Sequence, residues 1–443
     1  MEKKFDYILK NFNTIFGITQ GAFEINYGIN NTSKIQIKQG NTDYFNGKNQ
    51  FNLSKVIFKE WKGLKIPFLF DQTTTETEIL TSQNDQIFIN YDIIASSFFF
   101  LSNWQEYVSE KKDKYNRFTY EHSIQNKLNI VDKPIVNYYF DILKTAIELG
   151  YQLELKNKLW GKHTFATCIT HDIDNCKSAW IQGSYREIRN GNLLAPISLI
   201  SKRIFSKDEW FNFDKIIDIE NKFSAHSSFY FLSRNHAKNG IKNADYNIEN
   251  PEFQDVFNLI LSNSSESGIH GSIGTHNNSE KLIADIKRLR REITGGRFHF
   301  LIYDVYDTPE VLDKLNIRYD SSLGFAERYG FRNGFCLPFY IYDIKNDRST
   351  NVLEIPLILM DCTLSRYMQV SGEVAMEKVM GIVQEIEKFN GCFTLLWHNT
   401  YFSDYKYKGW RQIFEKILEY CQQRNSLLTN GETIDHCFRS SAN

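Results

Sequence analysis

The sequence predicts an α/β fold, a barrel or doubly wound sheet of parallel strands, preceded by a smaller α+β domain. At 443 residues the chain exceeds what one hydrophobic core usually holds, so two domains are expected. Beyond about residue 160, short apolar runs such as "HTFATCITHD", "GRFHFLI", "NVLEIPLILM" and "CFTLLWH" alternate with helical patterns over 278–293 and 373–390. Strands and helices in alternation predict parallel strands joined by right-handed crossovers.

The first part of the chain has a different character. It is rich in Asn, Thr, Gln and Lys, and β-like pieces such as "SKIQIKQG" precede helical stretches, the last of them "IVNYYFDILKTAIELGYQL". The polar connection "KNKLWGKH" follows that helix. We therefore predict an N-terminal accessory α+β domain over 1–155 and the barrel over 156–443.

Composition excludes several classes of protein. Lys and Arg number 52 against 53 Asp and Glu, and no long run of either sign stands out, so a nucleic-acid partner is not expected. The longest apolar run, "IIASSFFFL", is far shorter than the roughly 20 residues that a transmembrane helix needs. The start of the chain does not resemble a signal peptide, and seven cysteines without a C-x-x-C pair favour a reducing compartment, so we expect a cytoplasmic protein.

Polar residues stand at or near the C-terminal ends of the predicted strands. They are Asp172, Asp174, His270, Arg297 and His398. In parallel α/β folds this rim is where functional sites are built. The sequence therefore predicts one site that draws side chains from several strands.

The two aspartates of "THDID" raise a question of charge. Residues two apart on a strand point to the same face, so Asp172 and Asp174 should project together while His171 turns away. Two neighbouring carboxylates repel each other unless a cation lies beside them. A bound divalent metal, an arginine or both would relieve the repulsion, whereas a helix cap or a solvated turn is the non-functional alternative.

Five stretches of the chain, taken in order, resemble the motifs of the polysaccharide deacetylases, the NodB homology domain of carbohydrate esterases. The family's motifs are T-F-D-D, H-[ST]-x-x-H, R-x-P-[YFW], D-x-x or D-[SW], and L-x-H. The stretches here are "THDID" (170–174), "HGSIGTH" (270–276), "RFHF" (297–300), "YDSSLGF" (319–325) and "LLWH" (395–398). They look most similar to a divergent branch that reads S/T-H-D-V-D, in which an uncharacterised domain precedes the catalytic one.

The resemblance implies a deformed (β/α) barrel that hydrolyses an N-acetyl group on a sugar. Carried over by position, Asp172 is the general base, Asp174 and His270 are metal ligands, and His398 is the general acid. Arg297 would hold the base ionised. These roles are chemically coherent, because a divalent metal lowers the pKa of bound water and an imidazole can protonate a leaving amine near neutral pH.

One metal ligand is missing from its usual place. The family's second histidine stands four residues after the first, where this chain has Gly274. His276 could replace it if "GSIG" folds as a turn. His299 could replace it instead, since it lies two residues from Arg297 on a predicted strand and should share its face. A site without metal is the third alternative.

Two further residues are predicted to contact substrate. Asp320 lies in the "YDSSLGF" stretch, and Arg332 lies in a loop rich in glycine and aromatic residues that suits the wall of a pocket. Arg332 could recognise an anionic sugar or a phosphate, or pair with a local acid. Asp361 is another carboxylate at a strand end, and the sequence assigns it no role.

The sequence thus predicts a hydrolase that removes an acyl group from an amino sugar in a glycan or glycan precursor, assisted by Zn, Ni, Co or Mn. A cytoplasmic location favours a nucleotide- or lipid-linked precursor over a finished wall polymer. Two alternatives stay open. The chain could be an inactive carbohydrate-binding protein on the same barrel, or an amidohydrolase that works without metal.

Overall fold

The computed structural model shows two regions that share an extensive packing interface. It describes residues 1–28, 32–49, 51–71, 75–194, 196–197, 199–201, 206–237, 240 and 242–441. Within these ranges no helix combines the length and the apolar character needed to cross a lipid bilayer.

The N-terminal region is a small α+β unit. Its strands are β1 (Ile25–Tyr27), β2 (Ile35–Ile37), β3 (Ile57–Trp61), β4 (Leu64–Phe68), β5 (Leu80–Gln83) and β6 (Gln86–Ile89). Its helices are α1 (Glu2–Phe16), α2 (Ile93–Leu101), α3 (Trp104–Tyr107), α4 (Ile124–Lys127) and α5 (Ile135–Tyr151). Strands β1, β2, β6 and β5 form one sheet in that order, and β3 and β4 form a hairpin. Helix α2 is buried on all sides, which agrees with its uniformly apolar sequence.

The larger region alternates strands with helices. Its strands are β7 (Phe165–Ile173), β8 (Ser228–Leu232), β9 (Glu266–Gly271), β10 (Gly295–Phe298), β11 (Tyr319–Asp320), β12 (Phe339–Asp343), β13 (Arg348–Glu354), β14 (Leu359–Met360), β15 (Cys392–Leu396) and β16 (Ser426–Thr429). Its helices are α6 (Ala179–Arg189), α7 (Phe213–Asn221), α8 (Glu252–Ser262), α9 (Ser279–Leu289), α10 (Thr308–Lys314), α11 (Gly372–Glu387), α12 (Asp404–Tyr407), α13 (Trp410–Gln423) and α14 (Gly431–Ser440), with a π-helical turn over Thr363–Tyr367.

One sheet organises the larger region. Its strand order is β12-β13-β11-β10-β9-β8-β7-β15-β14, with β16 paired to β7, and all pairs are parallel except β12 with β13. In the described residues, β12 and β14 are the two ends of the sheet and do not pair with each other. The barrel is therefore open. This confirms the predicted fold class, an α/β barrel-like sheet of mostly parallel strands preceded by a smaller α+β region.

Strand β10 carries Arg297, and its close approach to the two neighbouring strands depends on two glycines. It pairs with β9 through Gly296 and Ile269 and with β11 through Gly295 and Tyr319. A Cβ atom on Gly296 would collide with the backbone carbonyl of Ile269, and one on Gly295 would collide with the ring of Tyr319. Glycine is therefore required for the close approach of these strands.

Two strand predictions were wrong in detail. The run "GRFHFLI" was predicted as one strand, but β10 ends at Phe298 and residues 299–301 form a tight turn. Phe300 and Leu301 there have φ of 59° and 56°, a region that non-glycine residues rarely adopt. The run "NVLEIPLILM" is two strands, β13 and β14, separated at Pro356. A proline lacks the N–H that a continuous ladder requires.

The two regions pack through a continuous apolar contact. The rings of Phe98 and Tyr342 meet edge to face with centroids 4.9 Å apart, and Phe140 meets Phe335 at 5.3 Å. The hydroxyl of Tyr7 donates to the carbonyl of Tyr340 over 2.8 Å. The domain boundary after residue 155 remains a prediction, because this core crosses it.

Candidate active site

Strand β7 delivers the two aspartates to the rim of the sheet. It pairs with β8, β15 and β16, and all nine of its residues are buried. His171 points into the core, where its ring nitrogens lie 2.6 Å from the carbonyl of Trp397 and 2.8 Å from Glu220 Oε1. Asp172 faces the other way, as the alternation of a strand requires.

Arg297 supplies the cation beside Asp172. Its Nη1 donates to Asp172 Oδ1 and to Thr170 Oγ1, both over 2.9 Å. Its Nε donates to the carbonyl of Ser321 over 2.6 Å, and its Nη2 donates to Ser321 Oγ over 2.8 Å. Arg297 is 1% exposed, so these bonds hold its guanidinium in one orientation. A fixed, buried cation compensates the charge of Asp172.

Asp174, His270 and His299 form a group of potential metal ligands. Asp174 Oδ1 lies 3.3 Å from His270 Nε2 and 3.6 Å from His299 Nε2. One donor atom from each of the three lies within 4.8 Å of the others. Ligands about 2.1 Å from a shared tetrahedral ion would be roughly 3.4 Å apart, so the observed spacing fits a divalent metal.

Hydrogen bonding and burial prepare these atoms for a cation. His270 Nδ1 donates to the carbonyl of Arg297 over 2.8 Å, which leaves Nε2 facing Asp174. Asp174 Oδ1 is buried and accepts no hydrogen bond from the described residues. Burial lowers the pKa of His299 to about 4. Burial alone would raise the pKa of Asp174, but the imidazoles of His299 and His270 hold it below its usual range.

Of the two alternatives for the third ligand, the structure places His299 in this group. His299 directly follows β10 and begins the turn that continues through left-handed backbone at Phe300. Its Nε2 lies 3.6 Å from Asp174 Oδ1. His276 follows the turn at Gly274, whose φ is 82°, and its ring lies 6.3 Å from that of Phe298. It does not belong to the donor group.

His398 faces the group from β15, on the other side of β7. Its Nε2 lies 3.9 Å from Asp174 Oδ2. Its Nδ1 lies 2.8 Å from Asp361 Oδ1, and its backbone N–H donates to Asp361 Oδ2 over 2.6 Å. Burial alone would lower the pKa of His398, but the carboxylate of Asp361 raises it to about 9. Asp361, which follows β14, therefore fixes both the position and the charge of this imidazole.

Two predicted substrate contacts lie elsewhere. Arg332 is 3% exposed and donates from Nε and Nη2 to the two carboxylate oxygens of Glu106 and from Nη1 to the carbonyl of Gly324. Asp320 is buried and accepts hydrogen bonds from the backbone N–H and the hydroxyl of Ser322. Neither side chain lines the cavity over the site, because both are committed to bonds within the fold.

A cavity of about 880 Å³ opens over these residues. Its lining includes Asp172, Asp174, His270, His299 and His398.

The N-terminal region contributes to the wall of this cavity through Asp113, Lys114, Tyr115 and Arg117. The sequence did not connect these residues with the site, because the five motifs that predict the site all lie beyond residue 169. The sequence did single out Asp361 as a carboxylate at a strand end, but it did not predict that Asp361 would contact His398.

The wall contacts the turn that carries His299. Arg117 Nη1 donates to the carbonyl of Phe300 over 2.8 Å, and the ring of Tyr115 stacks on Phe300 with centroids 4.9 Å apart. Asp113 in turn accepts from Arg117 Nε and Nη2 over 2.9 and 2.8 Å. The left-handed turn is thus held by residues of the N-terminal region.

A family model matches the N-terminal region of the chain. Residues 2–152, about one third of the chain, match a family model described as a family of unknown function (DUF7033). Curated proteins give no match.

The solved structures that match include two deacetylases and an allantoinase. A putative polysaccharide deacetylase from Mycobacterium smegmatis is 13% identical with a TM-score of 0.43, and the match covers 63% of this chain and 92% of that one. Puue allantoinase is 11% identical with a TM-score of 0.40 and the same coverage. A probable polysaccharide deacetylase from Pseudomonas aeruginosa PAO1 is 12% identical with a TM-score of 0.41, covering 66% and 97%. At such values the likeness carries no conclusion about activity.

Proposed function

We propose that the chain is a metal-assisted hydrolase that removes an N-acyl group, most simply acetyl, from an amino sugar of a glycan or glycan precursor. The observation that carries this proposal is the grouping of Asp174, His270 and His299 at ligand spacing between Asp172 and His398. A base, a cation site and an acid in one cavity are the parts that amide hydrolysis needs.

Asp174, His270 and His299 would hold the metal. When bound there, Zn, Ni, Co or Mn would lower the pKa of a water molecule and polarise the amide oxygen. Asp172 lies 3.7 Å from His270 Nε2, beside this position, and is the group that takes a proton from the water. Arg297 keeps the carboxylate of Asp172 oriented toward the cavity.

His398 completes the proton balance on the other side. Its Nε2 faces the cavity while Nδ1 is bound to Asp361, so Nε2 is the atom that can donate a proton to the departing amine. Asp361 acts as a positioning residue for this imidazole. The water oxygen bonds to the acyl carbon and the C–N bond breaks, while one proton passes from the water to Asp172 and one from His398 to the amine. The products are a carboxylic acid and a free amino sugar, and transfer of the proton from Asp172 back to His398 through solvent restores the starting state.

The test combines metal analysis with product detection. Purified protein is expected to bind about one divalent ion, and to release acetate from N-acetylglucosamine oligomers or precursors until a chelator is added. His299→Gln should lose both metal and turnover, whereas His276→Gln, the matched control, should keep both. Metal loss in His276→Gln instead would move the third ligand to His276.

Two results would reject the proposal. Protein that binds no metal and releases no acetate from any acylated amino sugar would be a carbohydrate-binding protein. Turnover that survives complete chelation would identify an amidohydrolase that works without metal.

A further inference from the structure

The segment after β7 carries an unusual concentration of exposed apolar side chains. Seven of the seventeen large apolar side chains that are exposed in the described part of the chain lie between residues 181 and 200. We call these seven the apolar patch. Isolated exposed apolar residues are common, but a cluster of this density marks an interaction surface.

Helix α6 provides the first half of the patch. Ile181, Tyr185 and Ile188 are spaced four and three residues apart, so they share one helical face, and each is at least half exposed. The opposite face of the helix is buried, with Gly183 packed against the ring of Tyr405. The exposed stripe is therefore not the face that attaches α6 to the barrel.

The chain beyond α6 continues the patch. A turn closed by the N–H of Asn192 on the carbonyl of Glu187 brings Leu193 and Leu194 directly after the helix. These leucines are 70% and 77% exposed, which leaves them without apolar neighbours on most of their surface. Ile197 follows at 64% exposure.

Basic residues accompany the apolar ones. Arg189 is exposed on the flank of α6 beside the apolar stripe, and Arg186 is exposed nearer the face that attaches the helix. The sequence from 177 to 207 contains six Lys or Arg and one acidic residue, Glu187, in a chain whose total charge is close to balanced. An apolar helical face with a basic flank is the pattern of helices that lie in the interface of an anionic membrane.

The patch lies at the rim of the sheet that carries the site. Helix α6 begins five residues after Asp174. Arg186 Nη1 donates to the carbonyl of Tyr405 over 3.0 Å, and Lys406 Nζ donates to Gln182 over 3.1 Å. These residues of α12 follow His398 on the same rim.

We propose that the apolar patch docks the protein on a lipid bilayer with anionic headgroups, with α6 lying in the membrane interface beside the cavity. Leu193, Leu194 and the stripe of α6 enter the headgroup region, and Arg189 contacts the anionic headgroups. A second copy of the chain suits the patch less well. A symmetric pairing of α6 would bring two arginines and one glutamate from each copy together, which leaves an excess of positive charge at the contact.

The test uses the full chain and vesicles without any sugar substrate, so it is independent of the proposed hydrolysis. The protein is expected to cosediment with vesicles of phosphatidylglycerol and phosphatidylcholine, more weakly with phosphatidylcholine alone, and more weakly at high ionic strength. Leu193→Gln combined with Leu194→Gln should weaken binding at least about tenfold. Arg189→Gln should weaken binding to the vesicles that contain phosphatidylglycerol about fivefold and should leave binding to pure phosphatidylcholine vesicles unchanged.

Leu261→Gln is the matched control. Leu261 is 73% exposed on α8, outside the patch, so its loss should leave vesicle binding unchanged. Circular dichroism of each variant verifies folding. Lack of binding by the unmodified protein, or equal weakening by Leu261→Gln, would overturn the proposal. A concentration-dependent dimer that the two leucine changes abolish, without vesicle binding, would assign the patch to self-association instead.

Discussion

Two buried arginines of this protein perform different tasks. Arg297 and Arg332 are both almost inaccessible to solvent, and each donates to a carboxylate and to a backbone carbonyl. Arg297 faces Asp172 in the cavity, whereas Arg332 joins Glu106 of the N-terminal region to the loop at Gly324. The sequence predicted both as site residues, and the structure places only Arg297 against the cavity floor.

The two arginines differ in the element of the backbone that carries them. Arg297 stands on β10 near the carboxyl end of a parallel strand, so its direction is set by the sheet. Arg332 lies in a loop, and the sequence around it does not specify which carboxylate it meets. For these two arginines, position on a strand was better evidence of a place in the site than the chemistry of the side chain.

The largest effect is expected for Arg297→Met. The carboxylate of Asp172 would stay buried without its cation, which should lower the free energy of unfolding by about 3–5 kcal/mol. Hydrolysis should also be lost, because Asp172 would no longer be held toward the cavity. Urea unfolding and acetate release measure the two effects. Turnover at the original rate would contradict the role given to Arg297.

Arg332→Met should cost similar stability with no effect on the site. Glu106 would lose a bidentate partner, so the free energy of unfolding should again fall by about 3–5 kcal/mol. The protein that remains folded should bind metal and turn over normally. Adding Glu106→Leu should recover much of the lost stability, since it removes the unpaired charge. Metal loss by the folded Arg332→Met protein would show that Arg332, like Arg297, supports the site.

Arg117 stands between these two cases, since it belongs to the N-terminal region but contacts the turn of His299. Arg117→Gln removes the donor to Phe300 and should weaken metal binding about 10- to 100-fold. Calorimetric titration of metal-free protein with Zn measures this affinity. Lys114→Gln, in the same loop, is the control and should bind as before. Equal zinc affinities of the two variants would mean that the turn at residues 299–301 keeps its conformation without Arg117.

Asp71 is a buried carboxylate of the N-terminal region whose neighbour is another acid. Burial and the charge of Asp92 raise its pKa to about 7. Its backbone partner is the N–H of Asp92, 2.9 Å from Oδ1. Between the ordinary pKa and the raised one, the folded protein keeps a proton that the unfolded chain releases, so this group's contribution to stability falls as pH rises.

Asp71→Asn tests that contribution because asparagine does not titrate. Relative to the variant, the original protein should lose about 1–2 kcal/mol of unfolding free energy between about pH 5 and pH 7. Urea unfolding of both proteins at each pH gives the difference. A difference that stays constant with pH, or grows in favour of the original protein, would refute the assignment.

Much of the site followed from local rules. Asp172 and His171 separate to opposite faces because β7 is a regular strand, and His270 and Arg297 share the rim because parallel strands end at one edge. Alternation along the strand offered His299 as a third ligand, but it could not choose between His299 and His276, because that choice depends on how the chain folds at residues 299–301 and at Gly274. Asp361 was visible as a carboxylate at a strand end, but its bond to His398 requires β14 and β15 to be neighbours.

The sequence by itself determined the alternation of strands and helices and the rim that carries Asp172, Asp174, His270 and His398, because side-chain periodicity is a local property of the chain. Only the tertiary structure decided that His299 joins the ligand group, that Arg332 binds Glu106, and that residues 113–117 of a distant region wall the cavity. Those contacts join residues far apart in sequence, and packing of the whole chain selects them from many partners of similar chemistry.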